Sequence, residues 1–101
     1  MYFAKIDIAA TADVVAAVAG RRIRVLAGLL VAAGSVTATW KSGSTGLTGA
    51  MSMVAGVPLP MAPSNSMDTV PHLQTAAGEA LNLTLSGAVQ VSGWIVFDYA
   101  G

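Results

Sequence analysis

The sequence predicts an all-β, single-domain antiparallel β-sandwich of jelly-roll-like type, with about seven or eight short strands. Three observations predict it. First, Leu81, Leu83, Leu85, Val89, Val91, Ile95, Phe97 and Tyr99 all occupy odd positions, whereas Asn82, Thr84, Ser86, Gln90, Ser92 and Asp98 occupy even ones. That period of two belongs to strands with one buried face. Second, turn-forming Gly, Ser and Pro clusters interrupt the chain at short intervals. Third, the most helix-like region is crowded with β-branched residues.

Taken in order, Tyr2, Ala4, Ile6 and Ile8 alternate with Phe3, Lys5 and Asp7, which predicts a first strand. Residues 10–13 (ATAD) form a break. Residues 14–33 admit a helix, because Asp13 could cap one and Ala and Leu are frequent. Val14, Val15, Val18, Ile23, Val25 and Val31, with Gly20 and Gly28 inside the run, favour strands instead. From Leu26 to Ala33 both faces are apolar, as in a strand covered on both sides or one meeting a neighbouring subunit.

After Gly34-Ser35, Val36, Ala38 and Trp40 alternate with Thr37, Thr39 and Lys41. Residues 42–46 (SGSTG) form a loop, and Leu47, Met51 and Met53 share one parity beyond it. Residues 54–66 differ: Pro58, Pro60 and Pro63 forbid a central strand and favour an irregular, extended segment. Val57, Leu59 and Met61 make that segment unusually apolar for a loop, which predicts that it docks on something. Pro71 pushes residues 67–75 towards an edge strand. The connection after Leu85 fits a hairpin through Ser86-Gly87-Ala88, and equally a corner between two sheets.

At 101 residues the chain suits one domain spanning 1–101, and the absence of cysteine excludes a disulfide framework or thiolate metal site. Only 10% of residues are charged and the net charge is zero, against roughly 25% charged in an ordinary soluble domain. A neutral chain with five basic residues is poorly equipped to grip nucleic acid. Arg21, Arg22 and Arg24 interrupt the longest apolar run, which argues against a membrane role. Residues 21–34 have the order of a basic region and an apolar signal core, but they start twenty residues in, behind a strand-like N-terminus, and are not read as a signal peptide. The expectation is a surface largely covered by other subunits.

Reactive chemistry is not evident. His72 stands alone, without a second ligand at metal-binding spacing. Asp7, Asp13, Asp68, Glu79 and Asp98 are scattered, no serine sits in a G-x-S-x-G elbow, and no glycine cluster ends in GK[ST]. The sequence therefore predicts no catalytic residue, no cofactor and no metal, and not an enzyme. Asn82-Leu83-Thr84 matches a glycosylation sequon inside a strand pattern and is read as chance. Arg21, Arg22 and Arg24 form the one charge cluster, suited to an acidic partner surface or to a solvated strand start. Trp94 breaks the polar even face of the last strand and marks that face as covered.

The segments GRRIRVLAGLLVAAGSVTATWKSGSTGLTGAM and QTAAGEALNLTLSGAVQVSGWIVFDY resemble a group of small virion proteins of tailed bacteriophages. The shared pattern is I-R-V-L, A-A-G-x-V, an aromatic followed by x-S-G, and a late G-E-x-L-x-L-x-L-S-x-x-V-x-V-S-G-x-I stretch, over about two-thirds of the chain. The resemblance implies a jelly-roll capsid decoration or cement protein, a homotrimer that binds and stabilises the shell of major capsid protein. It further implies residence on the capsid exterior after synthesis in the host bacterial cytoplasm. The resemblance does not cover the N-terminus or the Pro-rich segment, and the contact residues are expected from the residues themselves: Val57, Leu59 and Met61, unusually apolar for a loop, Tyr2 and Ile6 of a terminal strand free to pair with a neighbour, the charge cluster Arg21, Arg22 and Arg24, and Trp94. The alternative is a carbohydrate- or receptor-binding module of a tail fibre or head spike, presenting Trp40 or Trp94 to a sugar.

Overall fold

A computed structural model describes residues 2–61 and 73–100. Within them the chain forms β1 (Tyr2–Ile8), β2 (Ala12–Val15), β3 (Arg22–Ala32), β4 (Val36–Ser42), β5 (Thr45–Gly46), β6 (Met51–Met53), β7 (Leu59–Met61), β8 (Leu73–Gln74), β9 (Leu81–Leu85) and β10 (Val91–Ala100). No helix occurs among the described residues, so the helical alternative for residues 14–33 gives way to β2 and β3. Expectations that rest on Pro63, Asp68, Pro71 and His72 lie outside the described residues.

Every strand pair is antiparallel, and the pairing is nested. β1 pairs with β10, β2 with β9, β3 with β7 and β8, and β4 with β5 and β6. The chain is thus one long hairpin with its tip near Gly43. Wrapping that hairpin adds the pairs β10–β3 and β9–β4 and yields two sheets. Sheet I runs β1-β10-β3-β7 with β8 also along β3, and sheet II runs β2-β9-β4-β5 with β6 also along β4. This is jelly-roll connectivity. The described residues hold ten strands rather than the seven or eight expected, because two edge positions are each split into two short segments.

The core lies between the sheets. Leu81, Leu83 and Leu85 of β9 meet Val91, Ile95 and Phe97 of β10, with Ile6, Ile23, Val25, Leu30 and Trp40 among them. Each fully buried aliphatic side chain contributes about 1.5–3 kcal/mol. β9 and β10 lie in different sheets, so the connection after Leu85 is a corner and not a hairpin. Ser86 N–H donates to the Thr37 carbonyl there, and Thr37 N–H donates to the Ser86 hydroxyl.

A bulge switches the inward parity of β3, and beyond it the run is apolar on both faces, with Leu30 and Ala32 inward and Ala27, Leu29 and Val31 outward. Val96 faces Ala27 while Phe97 faces Val25, which leaves Leu26 without an opposite residue. Before the bulge Ile23 and Val25 enter the core, and after it Leu30 and Ala32 do. The inward parity switches from odd to even, so a single alternating pattern cannot describe the strand.

Candidate interaction surface

The two sheets differ in what they show the outside. On sheet II the outward positions are Asp13, Thr37, Thr39, Lys41, Ser52, Asn82 and Thr84, all polar or charged. They bond to one another: Thr84 Oγ1 donates to Asn82 Oδ1 at 2.7 Å, and Asn82 Nδ2 donates to Asp13 Oδ1 at 2.9 Å. The sequon asparagine is therefore half-buried and engaged within its sheet.

The outward positions of sheet I are largely apolar. Strand register sets them in rows: Phe3–Val96–Ala27, then Lys5–Trp94–Leu29–Pro60, then Asp7–Ser92–Val31. Phe3 is 69% exposed and Trp94 37%. Leu29, Val31 and Val96 are half-buried among them. The backbone at Gly93 lets β10 approach β3 closely here. Its φ is +153°, and a Cβ on it would stand 1.8 Å from the Leu29 carbonyl oxygen. Only glycine fits that position, and it sets Trp94 directly beside Leu29.

One end of the face is polar. Arg24 grips Asp98 bidentately, with Nε to Oδ1 at 2.7 Å and a terminal nitrogen to Oδ2 at 2.6 Å. Close by, Tyr2 stacks on Phe97 and meets Tyr99 edge-on, with ring centroids 5.5 and 5.2 Å apart. Tyr2, Val18, Arg21, Asp98 and Tyr99 line an open hollow of about 420 Å³.

The residues expected from sequence map onto this sheet and its flanking turns. β1 and β7 form its two edges and Trp94 lies between them, so the two segments expected to dock belong to one surface. Tyr2, Val57, Arg21 and Arg22 are exposed, and Arg24 is committed to Asp98. Ile6 is 2% exposed: its parity points it into the core, so β1 can meet a partner only through its backbone and its other residues. Leu59 also turns inward, where with Leu30, Trp40, Met51 and Leu73 it lines an apolar cavity of about 220 Å³ between the sheets. Of Met61 only the strand pairing to Gly28 is described. Trp40 is 1% exposed and cannot offer a ring to a sugar.

Sequence reasoning missed Phe3, Leu29, Val31 and Val96. The signal for Phe3 was present: it breaks the polar alternation of β1 as Trp94 breaks that of β10. Leu29 and Val31 were hidden because both faces of β3 beyond Leu26 are apolar, so alternation alone does not separate inward from outward residues, and the bulge switches the parity besides.

The remaining polar groups serve the fold. Ser42 Oγ donates to Glu79 Oε1 and accepts from Ala76 N–H, and buried Thr75 accepts from Ile23 N–H. Among the described residues no three His, Asp or Glu converge on a metal-sized space, and no buried side-chain nitrogen or oxygen lacks a partner. An exposed apolar face of this kind has the chemistry to bury area against another macromolecule. No family model, curated protein or solved structure matches the chain.

Proposed function

We propose that this protein is a bacteriophage virion structural protein, a capsid decoration or cement protein that binds the shell of major capsid protein as an oligomer and stabilises it. The observation that carries the proposal is the contrast between the polar outer face of sheet II and the apolar outer face of sheet I. A jelly roll facing solvent on both sides has no use for Phe3, Trp94, Leu29 and Val96 on its outside. The low charge of the chain fits the same picture, and the resemblance to small phage virion proteins names the partner. Attachment through several copies makes individually weak contacts act together.

Phe3 and Trp94 together leave about 200 Å² exposed, taking roughly 150–250 Å² for a whole aromatic residue. At about 25 cal/mol per Å² their burial supplies up to about 5 kcal/mol, before the costs of association. The test is co-sedimentation of the purified protein with empty capsids, wild type against Phe3→Ser/Trp94→Ser. Binding by the wild type and a loss of at least tenfold in the variant support the reading. Failure of the wild type to bind shells ends it.

A carbohydrate- or receptor-binding module of a tail fibre or head spike is the second reading. The hollow lined by Tyr2, Arg21, Asp98 and Tyr99 favours it, because it combines aromatic faces with charged hydrogen-bonding groups. Glycan-array binding lost on Tyr99→Ala, with virions carrying the protein on the tail, would replace the first reading by this one.

A further inference from the structure

Each sheet of an open sandwich has two edges whose unpaired backbone groups invite another strand, and folded chains normally blunt them. Among the described residues, three of the four edges are blunted. β2 has only four residues and a register shift between Asp13 and Val15. β5 and β6 have two and three residues, separated by a segment containing Gly49. β7 carries Pro60 at its centre, and β8 has two residues. β1 is different. It has seven residues without Pro or Gly, and its register with β10 is unbroken from Tyr2↔Phe97 to Ile8↔Val91. No described strand pairs with its other side.

We infer that the open edge of β1 pairs with β1 of a second copy, antiparallel about a two-fold axis at Ile6, joining the two sheets I into one continuous sheet. The inference deepens the proposed function by naming the self-contact of the oligomer. Charge selects the register. With the outer faces of both copies on one side, the registers that set charge opposite charge place Lys5 opposite Lys5 of the second copy, Asp7 opposite Asp7, or each opposite the other, and the remaining registers leave both residues without a charged partner. The first two place like charges in direct contact. The third, centred on Ile6, makes two Lys5–Asp7 cross-strand pairs and sets Ala4 opposite Ile8 on the inner face. Cross-strand pairs of opposite charge stabilise and like charges oppose. Asp7 already accepts from Gln90 Nε2, and a carboxylate has about four acceptor sites, so it can also take Lys5. The contact also sets the two apolar outer faces side by side, which doubles the surface offered to a shell. A two-fold contact of this kind closes on itself, so it does not by itself generate the homotrimer that the resemblance implies.

The test uses the full chain, whose lack of cysteine makes engineered thiols unambiguous. Lys5→Cys/Asp7→Cys should form a covalent dimer under mild oxidation. Directly opposite residues lie about 4.5–5.5 Å apart between Cα atoms, within disulfide reach. Lys5→Cys alone and Asp7→Cys alone should not cross-link, because the like-numbered residues are two positions out of register. In sedimentation, Lys5→Asp and Asp7→Lys should each weaken the wild-type dimer at least tenfold, and mixing the two variants should restore a heterodimer. Unchanged melting temperatures would show that the variants fold. A monomeric or trimeric wild type, cross-linking by either single-cysteine variant, or unaltered dimerisation by the charge variants overturns the inference. Shell binding is read separately: a monomeric Lys5→Asp variant that still decorates shells leaves the cement reading standing, and a dimer that binds no shell removes that reading alone.

Discussion

Gly93→Ala tests the feature that brings the centre of sheet I together. The added Cβ would stand 1.8 Å from the Leu29 carbonyl oxygen and 2.8 Å from its carbon. Carbon–oxygen contacts between strands ordinarily lie near 3.3 Å, so β10 and β3 must part by about 1.5 Å at this point. That takes the flanking backbone hydrogen bonds out of range, at about 1 kcal/mol each. A side chain at φ +153° adds about 1–3 kcal/mol of backbone strain. The sum is about 4 kcal/mol, a large share of the roughly 5–15 kcal/mol that holds a domain folded. It corresponds to a fall of roughly 15–30 °C in melting temperature. Urea denaturation followed by tryptophan fluorescence, together with a thermal melt by circular dichroism, measures it. Gly87→Ala is the control, since nothing lies within 4 Å of its added Cβ, and it should hold or gain up to about 1 kcal/mol. A Gly93→Ala protein within about 1 kcal/mol of wild type would refute the close approach and the placement of Trp94 that depends on it.

Further outcomes follow from the same structure. Thr75→Val removes the hydroxyl that accepts from buried Ile23 N–H and should cost about 1–3 kcal/mol by leaving that donor unpaired, measured by the same denaturation. Leu83→Ala, in the middle of the core, should cost about 2–5 kcal/mol. Arg24→Gln breaks a partly exposed bidentate pair and should cost only about 1 kcal/mol, with the difference shrinking in high salt. Phe3→Ser/Trp94→Ser should weaken shell binding at least tenfold. Because Trp94 is 37% exposed and the rest of it packs on its own sheet, the variant should also lose a few kcal/mol of stability, so binding is compared where circular dichroism shows both proteins folded.

The site was partly legible in the sequence. Trp94 could be identified because a tryptophan on the polar parity of a strand needs a reason. β1 and the segment around Leu59 were each expected to dock, but for separate reasons. That they edge one sheet depends on β10 and β3 lying between them, a pairing between positions some seventy residues apart. Ile6 and Leu59 were misplaced because apolarity alone does not say which side of a strand meets solvent. Phe3 was passed over although its parity pointed outward.

By itself the sequence determined the class of object: period-two alternation and turn chemistry are local properties, and they specify strands with one buried face wherever those strands end up. It also determined that charge is scarce, which is one support for the proposal that partners cover much of the surface. Tertiary structure alone decided which strands are neighbours, that β9 and β10 part at a corner, and that the bulge at Leu26 exchanges the inner and outer sides of β3. It also decided that the apolar residues left over gather on one outer face. These follow from non-local pairing. A strand's pattern states that it has a buried side, but only the sheet it joins determines what lies on the other side.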